Sequence, residues 1–205
     1  LKFIEEPGPG TYILMLTTNK SAVLPTIQSR TQVLELAPLN RQDLLQVMAD
    51  HDISTGQAKV AIGITDAVSD VQRWCEDGWF GNALQGISQW YRHVSAGQMM
   101  AFVDVTTSLV KLANRERERQ QVLLDLITLI WRDTLLSANG IQDPDRRHFI
   151  AEQQLVDEVG QRYSMDRLLA VSQLTLGTRH ELEQNISFQN VVEQLTIRIV
   201  KALTE

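Results

Sequence analysis

The stretch VLLDLITLIWRDTLL, residues 122–136, is the longest apolar region of the chain. Three charged residues interrupt it: Asp125, Arg132 and Asp133. A membrane span tolerates such charges poorly, so the run reads as a helix of a protein core. Within it Leu123, Leu126, Ile127 and Ile130 recur at the spacing of one helix face. That reading commits this part of the chain to helices packed on helices.

Outward from this run, the sequence from Ala96 to the end is almost wholly helical in pattern. Met99, Phe102, Val103, Thr106 and Val110 make a second stripe. The segment NGIQDPD is a break, with Pro144 placed to start a helix. Phe149, Ile150, Leu155, Val156 and Val159 follow, then MDRLLAVSQLTL and NVVEQLTIRIVKAL, for about five helices in all.

Toward the other end, residues 38–95 have a different texture. PLNRQDLLQVMADHDIS opens with Asn40 as a helix N-cap and carries Leu44, Leu45, Val47 and Met48. Helices are expected at Gln57–Ile64, Val68–Glu76 and Phe80–Val94, punctuated by Gly56, Gly63 and Gly78. The first 37 residues differ again. A helix is expected to stop at Pro7, PGPG is a turn, TYILML reads as a strand covered on both faces, and TQVLEL reads as a second strand. The chain opens as though in mid-helix, as in a fragment, and these elements look like the edge of an α/β domain. The fold class expected is mainly α.

The 205 residues are 43% hydrophobic, enough for a sizeable core. A net charge of −6 argues against a bulk electrostatic grip on nucleic acid and leaves room only for a local basic patch. One cysteine, Cys75, rules out an internal disulfide and fits a cytoplasmic setting.

Few residues suggest chemistry. Arg30 sits in a loop before the second expected strand. Its guanidinium could clamp a carboxylate or phosphate of a partner, or simply brace its own loop. Thr17, Thr18 and Asn19 follow the first expected strand, where α/β sheets place ligand contacts, and equally suit a turn. Glu5 and Glu6 are adjacent and face apart on a helix, a poor acid/base pair. His51, His93, His148 and His180 are scattered without metal-ligand spacing, and Cys75 lacks a C-x-x-C partner. No G-x-S-x-G elbow occurs. KLANRERERQ mixes both signs of charge and reads as a solvated face. No G-x-x-x-x-G-K-[ST] loop is present, so this chain does not bind ATP in that manner.

LKFIEEPGPGTYILMLTTNKSAVLPTIQSRTQVLEL, residues 1–36, resembles the end of the ATPase domain in bacterial DNA polymerase III clamp-loader subunits. The family pattern runs LLKxLEEP, a buried strand ending in T[TS][ND], then LPTIxSR and another strand. GNALQ resembles a lid element, and NISFQNVVEQLTIRI resembles the last collar helix. The resemblance implies the end of an AAA+ ATPase domain at 1–37, a helical lid at 38–95 and a helical collar at 96–205. It implies that Arg30 is an arginine finger acting in a neighbour's ATP site, with Thr31 where the family has cysteine. Thr18 and Asn19 match its sensor-1 position. Gly81 stands where hydrolysing subunits carry a sensor arginine, so the pattern is similar to the delta-prime branch. The resemblance further implies no cofactor in this chain, ATP at a neighbouring subunit, and no ATPase activity of its own. Its implied partners are gamma/tau and delta through the collar, with the sliding clamp and primer–template DNA reached through the complex and no membrane. A gamma/tau subunit and a helical interaction domain with no role in replication remain as alternatives.

Overall fold

The computed structural model describes the chain apart from residues 1–3, 5, 7, 18, 37, 38, 142, 185 and 205. The expectations for Glu5 and for a helix stop at Pro7 lie outside the described residues. The fold is mainly α, and the chain forms two compact units, Leu1–Pro38 and Leu39–Glu205.

In the smaller unit a turn forms over residues 8–11, which hold the described part of the expected PGPG turn. Thr11 N–H donates to Gly8 O at 3.0 Å, with Gly10 at φ 77° where only glycine is unstrained. A 3₁₀ turn, Lys20–Ala22, precedes α1, Pro25–Gln28, which carries proline at its first position. The two expected strands are corrected. Among the described residues no strand ladder forms, and the TYILML and TQVLEL runs take no regular structure. The side chains of Tyr12, Leu14 and Leu16 are 91%, 91% and 96% exposed, and those of Leu34 and Leu36 are exposed too. The physical reason is that strand backbone is satisfied only beside another strand, and among the described residues of this unit neither run pairs with a neighbour.

In the larger unit α2, Arg41–Asp50, starts where expected: Asn40 Oδ1 accepts from Asp43 N–H at 2.9 Å. Then come α3 Thr55–Ala61, α4 Val68–Cys75 and α5 Trp79–Ser95. A further helical stretch is built of α6 Met100–Asp104, a π-helical turn Val105–Leu109 and α7 Val110–Ala113. The four long elements that remain are α8 Arg117–Ala138, α9 Gln153–Arg162, α10 Met165–Glu183 and α11 Phe188–Thr204. Pro144 stands in a turn closed by Arg146 N–H on Asp143 O at 3.0 Å, and the next helix waits until Gln153.

Helix α8 is the centre. α10 lies along both α8 and α11, while α9 and α5 also pack on α8. Leu123, Leu126, Ile127 and Ile130 are buried, as the periodicity predicts, and so are Leu124, Leu129 and Trp131. Neighbours on several sides explain why residues 122–136 are apolar nearly all round. The three interrupting charges have separate fates. Asp125 takes a bidentate grip from Arg179 (2.8 and 2.5 Å), Arg132 reaches the surface, and Asp133 is buried but accepts from the N–H groups of His148 and Phe149 at 2.7 and 2.9 Å.

The stripe expected after Met99 lies on the wrong face. Met99 and Val103 are exposed, while Ala101, Val105, Leu109 and Ala113 are buried. Their spacing of four keeps one face inward because the π turn holds more residues than an α turn. Close approach of this stretch to α5 depends on Gly86, where a Cβ would sit 2.9 Å from Ser108 Oγ and from Leu112 Cδ1.

Candidate functional site

The loop around Arg30 is built by local hydrogen bonds. Asn19 caps the 3₁₀ turn, its Oδ1 accepting from Ala22 N–H at 3.3 Å and from Ser21 Oγ at 2.6 Å. Thr17 and Asn19 are tied to each other: Asn19 N–H donates to Thr17 Oγ1 at 3.1 Å. Gln28, on α1, then reaches back to this turn, its Nε2 donating to Lys20 O and Val23 O at 3.0 and 2.7 Å. One side chain thereby fixes α1 against residues 20–23.

α1 ends at Gln28 with Ser29 as its C-cap, and Arg30 follows with its N–H on Ile27 O at 3.0 Å. Arg30 is exposed. Its Nη1 donates to Thr26 O at 2.9 Å, one helical turn back. Thr31 Oγ1 makes the same kind of return to Ile27 O at 3.0 Å. A threonine hydroxyl can do so and a cysteine thiol would do so only weakly. Lys20 also pairs with Glu35 and holds that carboxyl below the usual carboxylate range.

Of the three residues singled out in the sequence, Arg30 and Asn19 belong to this one loop and Thr18 lies outside the described residues. Asn19 has its side-chain oxygen engaged in capping. No group of three or more His, Cys, Asp or Glu among the described residues is placed to hold a metal. Arg30 can present a fixed positive charge to an oxyanion brought to it, and on its own carries no further chemistry.

Sequence reasoning missed two buried polar clusters in the larger unit. His93 Nδ1 lies 2.5 Å from Asp104 Oδ2, whose other oxygen accepts from Gln89 Nε2 at 2.7 Å. His148 lies among Asp133, Arg132 and Arg41. In the second cluster Arg132 and Asp133 lie 16 and 15 positions from His148 and Arg41 lies 107 from it, so no helical spacing in the sequence announces it.

The family model described as DNA polymerase III, delta subunit matches residues 1–40, the segment that carries the Arg30 loop. Over nearly the whole chain a second similarity runs through both units. The relative is DNA polymerase III subunit delta' of Bacillus subtilis (strain 168), 24% identical over 201 residues, which is 97% of this chain. This chain is similar to that delta' subunit along nearly its whole length. The chain spans 60% of the length of that relative. No solved structure matches it significantly. Among the described residues no helix is long and apolar enough to cross a membrane.

Proposed function

We propose that this chain serves in a clamp-loader subunit of the delta-prime kind, acting in DNA replication. The single observation that carries this reading is the similarity to the delta-prime relative along 97% of the chain. In this reading residues 1–37 are the end of an AAA+ ATPase domain, 38–95 the lid and 96–205 the collar. The setting is cytoplasmic. The chain holds no nucleotide of its own, and ATP lies in a neighbouring subunit.

Two features support the assignment of surfaces. Arg30 is exposed at the end of α1, in a loop anchored by Gln28, which suits a trans-acting arginine finger. Leu169 and Leu176, two helical turns apart on α10, and Ile197 on α11 are exposed apolar side chains of the kind that subunit contacts cover. Gamma/tau and delta are the partners proposed for that collar, with the sliding clamp and primer–template DNA reached through the assembled complex.

One observation favours a second reading for Arg30. Its bond to Thr26 O can brace the loop itself. Arg30→Ala in the assembled loader separates the two. A finger stabilises charge on the departing γ-phosphoryl group, worth roughly 10³–10⁵ in rate at one site. The ring as a whole loses less, because only the site facing this subunit is affected. Assembly survives and Arg30→Lys does not restore the rate, since lysine lacks the planar fork. Full ATPase and clamp-loading rates in Arg30→Ala sink the finger, and a loss that only follows a lowered melting temperature favours the brace.

A further inference from the structure

Arg41, the first residue of α2, and Arg132, on α8, close on the two ring nitrogens of one buried histidine. Arg41 Nη1 lies 3.4 Å from His148 Nε2, and Arg132 Nη1 lies 3.2 Å from His148 Nδ1. The same Nδ1 is 3.3 Å from Asp133 Oδ1. His148 and Asp133 are both almost fully buried. Gly63 closes the back of the ring, where a Cβ would come within 2.7 Å of His148 Cδ2.

Donors outnumber acceptors here. Each guanidinium carries five N–H donors and stays charged. A neutral imidazole has one lone pair to offer. With Nδ1–H donating to Asp133, Nε2 accepts from Arg41, and Arg132 then faces a donor. A protonated ring accepts from neither arginine. The remaining acceptors are distant: Arg147 O at 3.5 Å from Arg41 Nη2, Arg146 O at 3.4 Å from Arg132 Nη1, and Asp133 Oδ1 at 3.8 Å from Arg132 Nη1. Arg41 Nε is buried with no partner among the described residues. The nearby carboxylates are committed elsewhere. Asp157 holds Arg147 at 2.8 Å and also accepts from Ser137, while Asp143 accepts from Asp145 N–H at 2.9 Å and faces Arg146 at 3.6 Å.

We propose that this junction binds a phosphate-class oxyanion, held between the guanidiniums of Arg41 and Arg132 beside His148. Such an anion supplies several lone pairs and a negative charge where the protein supplies too few of either. Arg132 leaves 48% of its side chain exposed, which gives the ligand a way in from solvent. The shared chemistry is a phosphate oxygen, from a dianionic monoester or a monoanionic diester.

The test is a nuclear magnetic resonance titration of the 205-residue chain, following the His148 imidazole, which is assigned with His148→Gln. Inorganic phosphate and dimethyl phosphate are added separately at constant ionic strength, with chloride as the control. The expected result is a saturable shift with phosphate and none with chloride. Saturation by dimethyl phosphate at equal affinity assigns the diester, and saturation by inorganic phosphate alone assigns the dianion. Arg132→Gln is expected to weaken binding about tenfold, the loss of one charge-assisted partner. Arg132→Lys, which keeps the charge, is expected to bind with an affinity between those of the unchanged chain and Arg132→Gln. The proposal is overturned if no shift saturates, if chloride reproduces it, or if neither Arg132 variant changes the affinity.

Discussion

The hydroxyls of Tyr91 and Thr134 meet at 2.7 Å inside the core, where neither residue touches solvent. Thr134 also donates to Ile130 O at 2.8 Å, so its oxygen is left to accept from Tyr91. The pair is therefore asymmetric. Tyr91→Phe removes one bond and leaves Thr134 satisfied, a loss of about 1 kcal/mol. Thr134→Val strands the tyrosine hydroxyl and is expected to cost about 1–3 kcal/mol. Urea denaturation of both variants checks the order, and a larger loss in Tyr91→Phe contradicts it.

The same tyrosine sets an alkaline limit. Burial, the largest effect, raises the Tyr91 hydroxyl well above its ordinary value of 10, against a smaller opposing effect of the Thr134 bond. A group whose folded value is raised contributes its full stability below the unfolded value. Above about pH 10 the unfolded tyrosine sheds its proton while the folded one keeps it, so the unfolded state gains. Stability then falls by about 1.4 kcal/mol per pH unit from this group. Denaturation midpoints from pH 9 to 11 should show almost no loss from this group below about pH 10 and approach this slope above it, and Tyr91→Phe should lose that fall.

Two glycines predict opposite signs for the same substitution. At Gly63 a Cβ would meet His148 Cδ2 and Leu129 Cδ2, both at 2.7 Å, so Gly63→Ala is expected to destabilise by about 1–3 kcal/mol. Gly177, inside α10, has nothing within 4 Å of its Cβ position. Gly177→Ala should stabilise by about 0.5–1 kcal/mol, because alanine loses less backbone freedom in a helix. Melting temperatures moving in the same direction would contradict this pairing.

Residues 39–205 should melt as one body. Trp90 on α5 is fully buried and donates from Nε1 to Thr196 Oγ1 on α11 at 3.1 Å, and Tyr91 packs edge-on to Trp131 of α8 at 5.0 Å. These contacts cross the texture change near Ser95, so heat cannot melt the helices before it without exposing those after it. Calorimetry should give one transition for this unit with matching calorimetric and van't Hoff enthalpies, and two resolved peaks would refute the coupling.

What the sequence made legible was the helical periodicity and the capping. The α8 stripe and the Asn40 cap are local patterns, set by residues three or four apart, and both are found. The π turn was not legible, because one extra residue in a turn changes which face is buried without changing composition. The strands failed for another reason: TYILML and TQVLEL have the right side chains, but pairing depends on a neighbour. At the candidate site, Arg30 could be picked out by residue type and position. Its return to Thr26 O and the Gln28 anchor could not, since both depend on how α1 closes on the turn before it.

The bare runs around Tyr12–Leu16 and Val33–Leu36 bear on how this chain behaves in a tube. Each is a short, apolar, nearly uncharged segment whose backbone lacks a ladder, the kind that zips onto an identical segment of another molecule. Concentrated solutions should therefore turn cloudy by intermolecular pairing through these runs while the helical unit is still native. A lysine placed in each, at Leu14 and Leu34, is the simplest way to keep the preparation clear.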